Sequence, residues 1–325
     1  MRLSRRVIGK AVIVLATMSG AAVCAQEWPA KPIRVVVPFT AGGVSEAIFR
    51  SMSPGIEKRL GQRFILENKP GADGIIGTAD VVRSAPDGYS LLTASTSLIS
   101  VKPHLFKDLG FDPLTALEPI SMLVNAPLLS VAGPGVPAKS LREMADFVRA
   151  NSGKFNYGAP SAGSPTHLTG AFFSQQTGNS MVYIPYKGTV PMVQALLAGD
   201  IQIAFPTLTA VVGQLKAGKL KVLAVMARQR MAELPDVPTT VEAGFPQLVS
   251  GNWWVMAAPS GTSPRIIERL AAEFRIALAE PEVRKRIADL GQVPIDMPRG
   301  EIPAYFRSES ARYKTIVEQG GIKAE

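Results

Sequence analysis

Two small-residue stretches have the composition of anion-binding turns. The first is Phe39-Thr40-Ala41-Gly42-Gly43-Val44-Ser45. It follows the apolar run 33–37, which reads as a buried strand closed by Pro38. Beyond it, Ile48, Met52, Ile56 and Leu60 recur every four residues, so a helix with one apolar face starts at about Val44 or Ser45. A strand, a glycine turn and a helix N-terminus direct unbonded amides and the positive end of the helix dipole at a ligand. Glycine, without a Cβ, lets that ligand approach the backbone. The second stretch is Ser161-Ala162-Gly163-Ser164-Pro165-Thr166-His167, after a short strand at 155–158. It also opens onto a helix and is expected to work by the same physics. Read from the residues alone, both stretches also suit plain strand-to-helix turns, and His167 also suits a histidine that packs its turn.

Other groups are candidates for the same cleft. Ser95 and Thr96 sit in a small polar segment, 94–97, after a third strand at 89–93, and should lie beside the first turn. Thr189 is a further donor. Lys187 is either a carboxylate partner or a solvated loop lysine. Ser97 and Tyr157 are possible lining residues. Of Trp253 and Trp254, one can face the cleft, because alternate strand residues point to opposite sides. His104 is expected in a surface loop.

Several chemistries are disfavoured. Ala159-Pro160-Ser161-Ala162-Gly163 has the look of a degenerate nucleophile elbow, but no histidine follows His167 to complete a hydrolase order. Two histidines and one cysteine make a dedicated zinc site improbable. Gly71, Gly74 and Gly77 lack the dinucleotide fingerprint, so no cofactor is expected. An enzyme would have to use His167 or Glu46 for proton transfer. Basic residues are dispersed rather than clustered, which argues against nucleic acid.

The elements that position these groups alternate. Strands at 33–37, 63–68 and 89–93 are separated by helices, the order of a parallel sheet with ligand loops at the strand carboxyl ends. An apolar strand at 119–132 leaves this unit. A second α/β unit follows, with Ser140 and Glu143 forming a capping box, strands at 155–158, 181–185, 201–205 and 220–226, and a helix at 190–197. Residues 252–259 read as a strand returning to the first unit. Helices close the chain at about 264–279, 282–290 and 299–318. The expected fold class is α/β, with two lobes joined by two crossing strands around a central cleft.

Arg2, Arg5, Arg6 and Lys10 precede an apolar stretch at 11–23, and Val23-Cys24-Ala25 fits a cleavage site. Residues 1–25 therefore read as an export signal, of general or twin-arginine type. Cys24 is the only cysteine, so the mature chain is expected to lack disulfides. Removing the four basic residues of this leader lowers the net charge from +9 to about +5.

Seven motifs, in order, resemble the periplasmic receptors of tripartite tricarboxylate transporters, the Bug receptors. They are Val36-Val37-Pro38-Phe39-Thr40-Ala41-Gly42-Gly43, Glu67-Asn68-Lys69-Pro70-Gly71-Ala72, Ala85-Pro86-Asp87-Gly88-Tyr89, His167-Leu168 after its turn, Ile184-Pro185-Tyr186-Lys187-Gly188, Leu234-Pro235-Asp236-Val237-Pro238-Thr239 and Ala258-Pro259-Ser260-Gly261-Thr262. The resemblance implies a type II periplasmic binding protein. Its lobes would be 26–124 plus 251–325 and 125–250. It also implies capture of a small carboxylated solute, delivery to a membrane permease, and no enzymatic activity. It places Phe39, Thr40, Ala41, Gly42, Gly43 and Ser45 at one ligand carboxylate, and Ser161, Ala162, Gly163, Ser164, Thr166 and His167 on the facing lobe. A monomer is expected. A sensor subunit for a membrane signalling protein is the alternative. The chain departs from the family in carrying Glu46 for the usual Asp and Pro206 where an Asp is common. The distal ligand contacts are therefore not carried over.

Overall fold

The computed structural model describes residues 28–178 and 180–323; the expected export signal lies outside them. The first α/β unit runs β1 (Ile33–Val37), α1 (Val44–Leu60), β2 (Phe64–Asn68), α2 (Ile75–Val82), β3 (Ser90–Ser95), α3 (Lys102–Leu105) and α4 (Pro113–Ala116). Next come β4 (Leu117–Pro127) and β5 (Leu129–Ala132), which divide the single strand expected at 119–132. The second unit continues with α5 (Leu141–Ala150), β6 (Phe155–Ala159), α6 (Pro165–Thr177), β7 (Met181–Pro185), α7 (Thr189–Ala198), β8 (Ile203–Ala204), α8 (Leu208–Lys216) and β9 (Lys221–Val225). The chain closes with β10 (Gly251–Pro259), α9 (Pro264–Ala279), α10 (Pro281–Asp289), β11 (Val293–Pro294) and α11 (Ile302–Gly320).

These strands form two sheets, ordered β11-β4-β10-β3-β1-β2 and β7-β6-β8-β5-β9. β1 lies between β2 and β3 and is parallel to both, as its continuous apolar run requires. β10 returns antiparallel to β3 and β4, so the first sheet is mixed rather than purely parallel. The expected stripe of α1 is buried: Ile48 and Ile56 are fully covered, and Met52 and Leu60 nearly so. Ser140 caps α5 by accepting the Glu143 amide, while the Glu143 carboxylate takes the Lys139 amide.

The chain passes between the sheets at Leu128 and again at Ser250. These crossings are hydrogen-bonded to each other, Leu128 N–H to Ser250 O at 3.0 Å, and Met226 N–H binds Leu128 O at 2.8 Å. Helix α11 also spans the two units. Ile302 and Phe306 pack with the core of the first sheet, and Tyr313, Ile316 and Val317 with that of the second. Between them Glu309 and Arg312 form a two-pronged ion pair at 2.9 Å on each arm. The sequence pattern made α11 a helix but did not reveal that its apolar face serves two cores.

Candidate functional site

The carboxyl ends of β1 and β3 and the turn before α6 border a cavity of about 600 Å³. Phe39, Gly43 and Ser45 line it from the first turn, and Ser95 and Ser97 from the end of β3. Ser161, Ala162, Gly163 and Ser164 line it from the opposite unit. The two turns therefore face one another. Gly163 of the second turn lies against α3, where a Cβ would collide with the Leu105 side chain.

The first turn is clipped by Glu46. This buried carboxylate accepts the Gly42 amide at 3.0 Å, Asn68 Nδ2 at 3.1 Å and Arg50 Nε at 2.7 Å. Those donors, Arg50 first, hold its pKa below the usual carboxylate value. Gly42 has φ +81°, a conformation that glycine adopts without a steric penalty. Gly43 takes the N-cap position of α1 and has no side chain to cap it. The amides of Val44, Ser45 and Glu46 precede the first intrahelical bond, from Ala47 to Gly43 O, and no described side chain caps them. They are the open helix-start amides expected there.

The second turn differs. Pro165 stands at the first helical position and has no N–H. Ser164 Oγ accepts the His167 amide at 3.3 Å and donates to Ser161 O at 2.7 Å. His167 Nδ1 accepts the Gly163 amide at 2.9 Å. Of the first three positions of α6, only Thr166 keeps an amide outside these bonds among the described residues. The two turns therefore differ in degree: the second engages its Gly163 and His167 amides with its own side chains and keeps the Thr166 amide open at the start of α6.

Other expected residues stand elsewhere. Thr40, Ala41 and Gly42 are exposed and do not line the cavity, although Gly42 shapes the turn. The segment 94–97 is not a loop: Ser95 ends β3, and Ser97 begins a π-type turn, Ser97–Val101. Thr96 is fully buried, its hydroxyl accepting the Trp253 amide at 2.8 Å. His167 is buried beneath its turn, stacked on Tyr183 at 3.8 Å between centroids, and desolvation lowers its pKa to about 4. With Tyr157 it lines a separate cavity of about 520 Å³. Thr166, Thr189 and the exposed Lys187 do not line the cleft cavity. His104 is not in a loop: it lies on α3 with Nε2 2.8 Å from Ser310 Oγ, and burial lowers its pKa. Trp254 lines the cavity, while Trp253 stacks on Phe306 at 5.3 Å.

Sequence reasoning missed Lys102, Leu105, Phe106 and Asn252, all of which line the cavity. Lys102 is 3% exposed, and its ammonium lies 5.3 Å from the centre of the Phe106 ring. Its local pattern, Val101-Lys102-Pro103, gave no sign of burial. With Phe39, Val44, Leu105, Phe106 and Trp254, the cavity combines an apolar wall, one buried cation and a positive helix end.

Two α/β lobes around a cleft are the architecture of a binding protein of the periplasmic type. The tripartite tricarboxylate transporter family receptor model matches residues 48–322. The chain is 33% identical over 313 residues to Protein BugT of Bordetella pertussis, covering 96% of each. Among solved structures, MatC from Rhodopseudomonas palustris with bound malate is similar at TM-score 0.71 and 29% identity, covering 89% of this chain and 99% of that one. Rpa4515 of R. palustris with adipate gives 0.75 and 27%, covering 91% and 99%. The chain belongs to the tripartite tricarboxylate transporter receptor family, a family of periplasmic binding proteins, and has their fold. No helix of the described residues is long and apolar enough to cross a membrane.

Proposed function

We propose that this chain is a periplasmic receptor that captures a small organic carboxylate and delivers it to the permease of a tripartite tricarboxylate-type transporter. The lobes divide at the crossings rather than at 124/125, because β4 stays in the first sheet to Pro127. Residues 28–127 with 251–301 form one lobe and 128–250 the other, α11 spans both, and they close over the ligand about Leu128 and Ser250. The observation that carries this reading is the uncapped first turn of α1, open to a cavity bordered by both units. One ligand carboxylate binds the amides of Val44, Ser45 and Glu46. The apolar wall covers the carbon skeleton. Malate and adipate in the two R. palustris proteins support the ligand class. Catalysis is not part of this reading: Glu46 and His167, the two proton-transfer candidates, are both engaged in holding the turns. The receptor works as a monomer.

The test is thermal unfolding of the purified protein against a panel of aliphatic, aromatic and amino-acid carboxylates. A ligand at a hundredfold excess over its Kd stabilises the folded state by about 2.7 kcal/mol. A clear rise in Tm with a carboxylate is the expected result. A flat panel, with no small molecule released on denaturation and seen by mass spectrometry, overturns the reading.

A further inference from the structure

Ser95 closes β3 and stands opposite Trp254 of β10 in their antiparallel register. Residues opposed across such a pair share a face of the sheet, as do residues two apart on one strand. Ser95, Trp254 and Asn252 therefore converge on one face, and all three line the cleft cavity. Thr96 does not join them. Its hydroxyl holds the Trp253 amide and so locks the end of β3 to β10.

Two oxygens on this face, Ser95 Oγ and Asn252 Oδ1, are buried without a hydrogen-bond partner among the described residues. Ser95 itself is 3% exposed. Buried polar atoms in folded proteins are almost always paired, and an unpaired one is unfavourable. An amide oxygen only accepts, so the group that completes Asn252 is a donor. A serine hydroxyl then accepts from, or donates to, the same small group. The described lining also contains the Lys102 ammonium and the positive end of α1, which disfavour an ammonium as that donor. A hydroxyl meets both conditions.

We propose that Asn252 and Ser95 are specificity-determining residues that recognise a hydroxyl on the ligand, so that the protein selects hydroxy acids over the matching deoxy acids. This rests on the carboxylate reading above: the carboxylate lies at the start of α1 and the hydroxyl at the β3–β10 wall. A site built to bond a hydroxyl rejects an analogue that lacks it, because its own polar groups are then left unpaired.

The experiment is titration calorimetry of the intact protein with matched pairs: lactate and propionate, malate and succinate, citrate and tricarballylate, mandelate and phenylacetate. The expected result is that the hydroxy acid of the best-bound pair binds at least about tenfold tighter than its partner. That ratio falls to near one in Asn252→Ala and in Ser95→Ala, the second variant removing a single oxygen from a site that keeps its fold. Equal binding within a pair by the wild type, or a ratio unchanged in both variants, overturns the proposal and leaves the carboxylate reading standing. Failure of every acid to bind overturns the carboxylate reading, and this proposal with it.

Discussion

The turn before α1 and the turn before α6 carry similar small residues and face the same cavity, yet they hold their backbone donors in opposite ways. In the first, a side chain from within the helix, Glu46, reaches back to the Gly42 amide and leaves the helix start open. In the second, Pro165 removes a donor, Ser164 caps, and His167 takes the Gly163 amide. Similar composition thus left three open amides at the first helix start and engaged most of the amides at the second. A helix N-terminus binds an anion only to the extent that the chain's own side chains leave its amides unused.

The sharpest way to break this comparison is Glu46→Ala. It leaves the Gly42 amide and Arg50 Nε without their acceptor and takes one of two from Asn68 Nδ2, which keeps Phe39 O at 3.2 Å. A stability loss of roughly 2–3 kcal/mol is expected in denaturant melts. Calorimetry should show carboxylate affinity falling by more than about tenfold, a loss of at least ~1.4 kcal/mol in binding. Unchanged affinity would mean that the first turn is not the anion receiver.

Next is Gly163→Ala. The residue has φ +69° and its new methyl group meets Leu105 across the cleft. Strain and overpacking together should cost about 2 kcal/mol of stability and also weaken binding. Gly42→Ala is the control: its φ is +81°, but nothing lies within 4 Å of the added Cβ. If both variants lose the same stability, the close approach at Leu105 contributes nothing.

A smaller effect is expected from Ser164→Ala. Loss of the cap should lower stability by about 1 kcal/mol and change carboxylate affinity little. A loss of binding as large as that of Glu46→Ala would make the two turns equivalent after all.

The mildest test is pH. Desolvation lowers the His167 pKa from 6.5 to about 4, so the folded chain prefers the neutral ring. The unfolded state therefore takes up the proton first. This contribution to stability is complete above about pH 6.5 and is lost as the pH falls toward 4. Melting curves across that window should show a shallower decline for His167→Phe than for the wild type.

Much of the architecture was legible in local patterns. The apolar run at β1, the four-residue spacing from Ile48 to Leu60 and the Ser140–Glu143 cap each act within a few residues, so the sequence is enough to read them. The pairing of both turns around one cleft followed from strand–helix alternation and from the family motifs. What went unseen involved partners far apart in the chain. Lys102 on a four-residue helix reads as a surface residue, yet in the fold it is 3% exposed. Asn252 reads as an ordinary strand residue until β10 pairs with β3.

Composition, periodicity and motif order thus determined the two α/β units, the glycine turn at 42–43 and the membership of a receptor family. They act through backbone preferences and apolar faces, which are properties of neighbouring residues. Which amides remain open, which serine faces the cavity and which is buried as structure, and where a lysine is enclosed were set only on assembly. Each depends on contacts between residues distant in sequence, such as Asn68 with Glu46, Thr96 with Trp253 and Leu105 with Gly163.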